Sequence, residues 1–146
     1  THVQDIGWQG YVKDGSTAGT TGQSKRLEAI RIKLSNNTSY KGTLQYQTHI
    51  QDIGWQGWKM NDDTSGTSGQ SKRLEAIRIK LTDELAENYD IYYRVHAQEF
   101  GWLGWAKNGE SAGTEGYSYR LEAIQIQLVK KGSSAPGSTN NCFYKR

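Results

Sequence analysis

Apolar and polar residues alternate with a period of two along several stretches of the chain, the spacing of a β-strand that buries one face. In RLEAIRIKL, Ile30, Ile32 and Leu34 fall on one side and Arg31 and Lys33 on the other. In LQYQTHIQ, Leu44, Tyr46, Thr48 and Ile50 oppose Gln45, Gln47, His49 and Gln51, and Ile91, Tyr93, Val95 and Ala97 oppose Tyr92, Arg94, His96 and Gln98 in the same way. A further short strand is predicted around GWKM at Trp58, while Gly-rich stretches such as DGSTAGTTG and GESAGTEG read as turns. No segment has an 11-residue helical period, although TDELAENY suffices for one helical turn.

The pattern occurs three times. THVQDIGWQG at Thr1 recurs as THIQDIGWQG at Thr48 and VHAQEFGWLG at Val95, 47 residues apart each time. SKRLEAIRIKL ends at Leu34 and Leu81, and SYRLEAIQIQL ends at Leu128. The first two copies differ at only nine of their first 34 positions, which is triplication. A unit of this size is too small to stand alone, because below roughly 70–80 residues a core supplies at most about 3–5 kcal/mol.

The sequence therefore predicts one all-β domain over residues 1–146, with three 47-residue repeats around a pseudo-threefold axis. Repeat 1 spans 1–47, repeat 2 spans 48–94 and repeat 3 spans 95–141, and residues 142–146 are expected to complete repeat 1. That last expectation rests on CFYKR, which places Cys142 and Tyr144 like Leu44 and Tyr46, so that a C-terminal strand closes the ring and removes a free edge. A β-prism of three sheets is favoured and a β-trefoil is the alternative.

Composition narrows the function classes. Only 34% of the residues are apolar and the mean hydropathy is -0.82, so no run approaches the roughly 20 apolar residues of a membrane span. Five Trp, nine Tyr and two Phe argue against disorder. A net charge of +3 is too slight to predict nucleic acid as a partner. One cysteine, Cys142, neither closes an internal disulfide nor builds a thiolate zinc site, and no metal or cofactor is expected. The N-terminus has no signal-peptide pattern; a chain that begins at Thr reads as a processed or excised piece of something longer.

GWQGW, the run GTSGQSKRLEAIRIKL and the preceding THIQDIGW together resemble the ChW repeat, the clostridial hydrophobic repeat named for its tryptophan. The resemblance covers nearly the whole chain, three times over. It implies a bacterial secreted or surface protein, in which such repeats often occur in threes beside catalytic or adhesive modules. It also implies binding of carbohydrate, cell-wall polymer or protein ligands in place of catalysis. Repeat 3 departs from the pattern: Leu103 replaces Gln9 and Gln56, and Tyr117 and Tyr119 replace Gln70 and Lys72, so a site in this repeat is expected to be altered.

Four sets of residues are candidates for chemistry. In the GWxGW pairs, residues three apart in an extended strand face opposite ways. Trp8, Trp55 and Trp102 are therefore expected in fixed interior slots, and Tyr11, Trp58 and Trp105 as exposed platforms for a sugar ring or an apolar anchor; the alternative is that both members pack inside. His2, His49 and His96, with Gln4, Gln51 and Gln98, lie on a polar strand face and are candidates for bonding ligand hydroxyls, or else cross-strand structural residues. Arg26 and Glu28, Arg73 and Glu75, and Arg120 and Glu122 put a carboxylate on an inward face, where it must be paired, and read as a structural brace. A glycan-cleaving role for these acids would need a partner such as Asp5, Asp52 or Glu99 across a cleft. Finally, Lys25, Arg31 and Lys33, repeated as Lys72, Arg78 and Lys80, make a basic face suited to anionic wall polymers or simply to water. Repeat 3 has Gln125 and Gln127 there, and Asn61-Asp62-Asp63 is read as a turn.

No nucleophile elbow, phosphate loop, HExxH or dinucleotide fingerprint is present. The expectation is a non-catalytic module at the bacterial cell surface, binding carbohydrate or cell-wall polymer through up to three repeat-related sites. A protein-interaction or adhesion module is the alternative.

Overall fold

The alternating segments pair as strands. The structure, a computed structural model, describes residues 1–35 and 38–146. Repeat 1 contributes β1 (His2–Val3), β2 (Gly7–Trp8), β3 (Ala18–Gly19) and β4 (Leu27–Ile30). With each histidine strand counted whole in the repeat of its histidine, ahead of the sequence bounds in repeats 2 and 3, repeat 2 contributes β5 (Leu44–Ile50), β6 (Gly54–Trp55), β7 (Lys59–Met60), β8 (Ser65–Gly66) and β9 (Leu74–Leu81). One short helix follows, α1 (Asp83–Asn88), and then β10 (Tyr89–Ala97), β11 (Gly101–Trp102), β12 (Ala106–Lys107), β13 (Ala112–Glu115) and β14 (Leu121–Lys130) of repeat 3. The final strand is β15 (Phe143–Lys145).

In every repeat the histidine strand runs antiparallel to the RLEAI strand. β5 pairs β9, β10 pairs β14, and the much shorter β1 pairs β4. All three ladders shift register just after the histidine, a bulge repeated at His2/Val3, His49/Ile50 and His96/Ala97. The predicted apolar faces are buried, with Tyr46, Ile50, Ile79, Tyr93 and Val95 all fully so. The hydroxyls of Tyr46 and Tyr93 donate to carbonyls of a following turn, Tyr46 to Asp63 and Tyr93 to Glu110, which satisfies their polar atoms.

The Gly-rich stretches are more than turns. Each contains a strand that leaves its own repeat and pairs with the RLEAI strand of another. β8 of repeat 2 pairs β4 of repeat 1, β13 of repeat 3 pairs β9 of repeat 2, and β3 of repeat 1 pairs β14 of repeat 3. This cyclic exchange yields three sheets and closes the molecule without a barrel among the described residues. Glycine is required where the strands meet. Gly19, Gly66 and Gly113 have φ of 98°, 107° and 121°, and a Cβ on any of them would lie 2.4 Å from the carbonyl oxygen of Glu122, Glu28 or Glu75. The turn signal in the sequence was thus also a signal of close strand approach. The core is built from threefold sets, among them Leu27, Leu74 and Leu121, and Ile30, Ile77 and Ile124. Buried apolar area that no single repeat encloses is what holds the ring together.

The C-terminal strand does not complete repeat 1. β15 pairs in parallel with β13, Gly113 opposite Phe143 and Glu115 opposite Lys145, at the edge of the sheet that holds β9 and β5. The reason lies in what the two destinations offer. Repeat 3 presents the Gly113 amide, which donates to the Cys142 carbonyl at 3.0 Å, and an aromatic seat in which Phe100 stacks on Tyr144 at 4.5 Å. Cys142 is half-buried, with its sulfur 3.4 Å from the Ser111 carbonyl, and burial pushes its thiol pKa up.

Candidate binding surfaces

Each repeat carries the same buried brace. The Nδ1 atoms of His2, His49 and His96 lie 3.0, 2.9 and 2.9 Å from an oxygen of Glu28, Glu75 and Glu122. The second carboxylate oxygen receives Nε of Arg26, Arg73 or Arg120 at 2.9, 2.9 and 3.0 Å. The three glutamates are only 5–6% exposed, and this double pairing is what makes a buried carboxylate tolerable. Gln4, Gln51 and Gln98 accept from the backbone N–H of the same arginines, so their carbonyl oxygens are engaged inside the fold. The histidine rings meet Trp8, Trp55 and Trp102 edge-on at 5.3–5.4 Å. The structure thus gathers the His, Gln, Arg and Glu candidates into one strand-bracing network in each repeat.

The aromatic pairs do not divide into an inner and an outer member. Arg31 lies over Trp8 at 4.2 Å and Lys33 over Tyr11 at 4.2 Å; Arg78 lies over Trp55 at 4.0 Å and Lys80 over Trp58 at 4.1 Å. Arg78 and Lys80 stand two apart on β9 and share one of its faces, so both of their rings lie on that face too, and Arg31 and Lys33, just past the end of β4, hold the matching positions in repeat 1. The strand is broken between β6 and β7, which removes the premise of opposite faces. Trp8, expected in the core, is 39% exposed, while Trp55 and Trp102 are half-buried. The result is a ridge of rings and cations on repeats 1 and 2, in which each charged head contacts a ring face.

Repeat 3 differs. Its Arg94 comes from β10 and lies over both Trp102, at 4.6 Å, and Trp105, at 5.1 Å. The cation missing at Gln125 has moved to the facing strand. Gln47 pairs with Arg78 in repeat 2, and Arg94 pairs with Gln125 in repeat 3, a reciprocal exchange across matching register positions.

The larger difference is the C-terminal tail, which lies across repeat 3. Trp105 N–H donates to Ser138 at 2.9 Å and Gly104 N–H to Asn141 at 3.4 Å, before β15 adds to β13. Trp105 is therefore 6% exposed, against 36% for Trp58 and 58% for Tyr11. Only two of the three expected platforms are open. Repeat 3's departures from the pattern form the tail's seat: Leu103 is buried, and Tyr117 and Tyr119 contact Phe100, which stacks on Tyr144. Those substitutions were visible in the sequence; the tail that uses them was not.

The segment that leads into the tail is tethered at Lys131 and Gly132 by Asp90, which is 1% exposed. Burial alone would raise the pKa of this carboxyl. Asn108, the Gly132 N–H and Lys131 bond it, and Lys107 lies close by, which together bring the pKa down to about 2. Among the described residues, no group of three or more His, Cys, Asp and Glu is placed to hold a metal ion. No described helix is long and apolar enough to cross a membrane.

A family model, Clostridial hydrophobic W, matches residues 2–36, 49–83 and 96–130. The chain belongs to the ChW family. Its three ChW matches begin at the histidines and include the GWxGW ridge, the donated strand and the RLEAI strand, so one match follows a continuous path through two sheets. No curated protein and no solved structure matches the chain.

Proposed function

We propose that this ChW chain is a non-catalytic binding module of a bacterial cell surface, with working surfaces on repeats 1 and 2 and a third, equivalent surface closed by its own tail. We read the three-sheet ring as β-prism-like, a scaffold that presents repeat-related surfaces around an axis. One observation carries the reading: the surface that a polypeptide segment covers in repeat 3 is open in repeats 1 and 2, where Tyr11 and Trp58 remain exposed. It favours the protein-interaction form of the expectation, with an extended chain of a surface protein as ligand and two linked sites adding by multivalency.

A glycan is the second reading. It is favoured by the exposed rings, each with a lysine ammonium about 4 Å away, which suit the apolar face of a sugar and the charge of an anionic wall polymer. Calorimetric titration with surface-protein fragments and with anionic and neutral wall glycans tests both. Saturable binding that weakens at least tenfold in Tyr11→Ala/Trp58→Ala, while Trp105→Ala does not affect the contact, supports the module. Binding that survives the double variant sinks it.

A further inference from the structure

The geometry points to a groove on repeats 1 and 2 that takes an acidic polypeptide along the path the tail follows on repeat 3; this rests on the binding-module reading above. Three observations carry it. First, the tail shows the path is competent for a main chain. Gly104 and Trp105 give their N–H groups to carbonyls of Asn141 and Ser138, where the tail turns over them, and Gly113 gives its N–H to Cys142, where β15 then adds to β13 as a strand. In repeats 1 and 2 the matching N–H groups of Gly10 and Tyr11, and of Gly57 and Trp58, have no protein acceptor among the described residues.

Second, glycine at the centre of GWxGW is explained only where the tail is bound. A Cβ on Gly104 would lie 2.0 Å from the Asn140 carbonyl oxygen, whereas a Cβ on Gly10 or Gly57 would meet nothing within 4 Å. Neither Gly10 nor Gly57 has positive φ, so neither needs glycine for its backbone. A chain passing as close as Asn140 does would need it.

Third, charge at the far end of the path is reversed. On repeat 3 the basic end, Lys145 and Arg146, runs beside Glu115, and Arg146 lies 5.5 Å from the Tyr117 ring centre. Repeats 1 and 2 have Thr21 and Ser68 in place of Glu115, and Lys25 and Lys72 in place of Tyr119. Among the described residues these lysines form ion pairs only with Asp5 and Asp52, at 3.5 and 3.6 Å, on highly exposed carboxylates, and such surface pairs are weak and open to exchange. With Lys33 and Lys80 on the same repeats, the partner that fits carries acid where the tail carries base.

The test uses the eleven-residue tail peptide Pro136–Arg146 as its probe, with Cys142→Ser to prevent oxidation and Tyr144→Glu, Lys145→Asp and Arg146→Glu for charge. Amide NMR spectra of the whole chain are recorded during titration with this peptide, with the tail peptide of unaltered charge, and with polygalacturonate. The proposal expects saturable shifts at Gly10, Tyr11, Gly57 and Trp58, and a weaker response to the basic peptide. In Gly10→Val/Gly57→Val the affinity falls at least tenfold with the unfolding midpoint unchanged. No shift up to millimolar peptide overturns it, as does binding undiminished in the double valine variant, or shifts confined to repeat 3. If polygalacturonate moves these signals and the peptide does not, the groove proposal falls and the module reading stands with a glycan ligand. If surface-protein binding survives the valines and is lost in Tyr11→Ala/Trp58→Ala, the rings bind it without the groove.

Discussion

Repeats 2 and 3 share a backbone plan, a brace and a pair of aromatic residues, yet one presents its second tryptophan to solvent and the other buries it. The difference is made by eleven residues that belong to neither repeat's motif. It teaches that the GWxGW edge is not intrinsically core or surface: it is an unfinished edge that a polypeptide can cover. The same residue type then has unlike roles. Trp105 helps hold the tail, and Trp58, 36% exposed, remains available for contact.

The sharpest way to break this comparison is to truncate both tryptophans. Trp105→Ala removes a ring that is 6% exposed and should cost about 3–5 kcal/mol, the range for large buried aromatics. Trp58→Ala loses a ring that is 36% exposed together with its lysine contact and should cost less, about 1–2 kcal/mol. Urea unfolding of the two variants checks it. Equal losses would mean that the tail does not distinguish the repeats.

The central glycines sharpen it further. Gly104→Ala forces the tail backbone away from a Cβ that has no room, an overpacking cost of about 3 kcal/mol. Gly57→Ala meets open space and should stay within about 0.5 kcal/mol of the parent. Thermal unfolding of the pair isolates the tail, since the local sequences are otherwise alike.

Much of the fold was legible. Period-two alternation named the two long strands of repeats 2 and 3, and the 47-residue spacing implied the ring. What alternation could not show was the third strand, because Ala18-Gly19, Ser65-Gly66 and Ala112-Gly113 are too short and glycine-rich to carry a pattern. Their pairing partners lie in other repeats, and no local signal points there. The ring face was misjudged because opposite orientation at three-residue spacing holds only for an unbroken strand. The tail was misplaced because a match of Cys142 and Tyr144 to Leu44 and Tyr46 records residue type, while destination was decided by an unfilled amide at Gly113 and the Phe100 ring.

Acid should separate the repeats as well. Asp90 anchors the segment that leads into the tail through Lys131 and Gly132, and Thr43 stands at the matching place in repeat 2, where nothing titrates. The Asp90 pKa falls from 3.8 unfolded to about 2 folded, so the unfolded chain binds the proton more readily. The carboxylate's contribution is complete above pH 4 and is lost as pH falls through about 2. At 1.36 kcal/mol per pKa unit it is on the order of 2 kcal/mol. Relative to the rate of an unstructured amide at each pH, hydrogen exchange at Trp105 and Gly113 should quicken between pH 4 and pH 2 before exchange at Thr48 does. In Asp90→Asn the selective acceleration should vanish, with the tail looser at every pH. Uniform acceleration across both repeats would place the acid sensitivity elsewhere.

The smallest effect concerns a single amide. Gly66 and Gly19 donate their N–H groups to the side-chain oxygens of Gln56 and Gln9, at 2.9 and 3.2 Å, where Gly113 donates to the tail instead. Gln56 is therefore an internal substitute for a bound strand, and Leu103 takes its place in the one repeat where the strand is present. Gln56→Leu should cost about 1 kcal/mol by leaving the Gly66 donor unfilled. The same change gives the Gly66 N–H to any arriving carbonyl, so affinity for an extended chain should rise a few-fold while stability falls. Leu103→Gln supplies the reverse case: an amide placed to compete with Cys142 for Gly113 should loosen β15 by a similar amount. Denaturant midpoints give the stability side and peptide titration gives the binding side. If Gln56→Leu weakened both, the glutamine would be a ligand contact in its own right, and the edge it covers would not be the place where a chain is added.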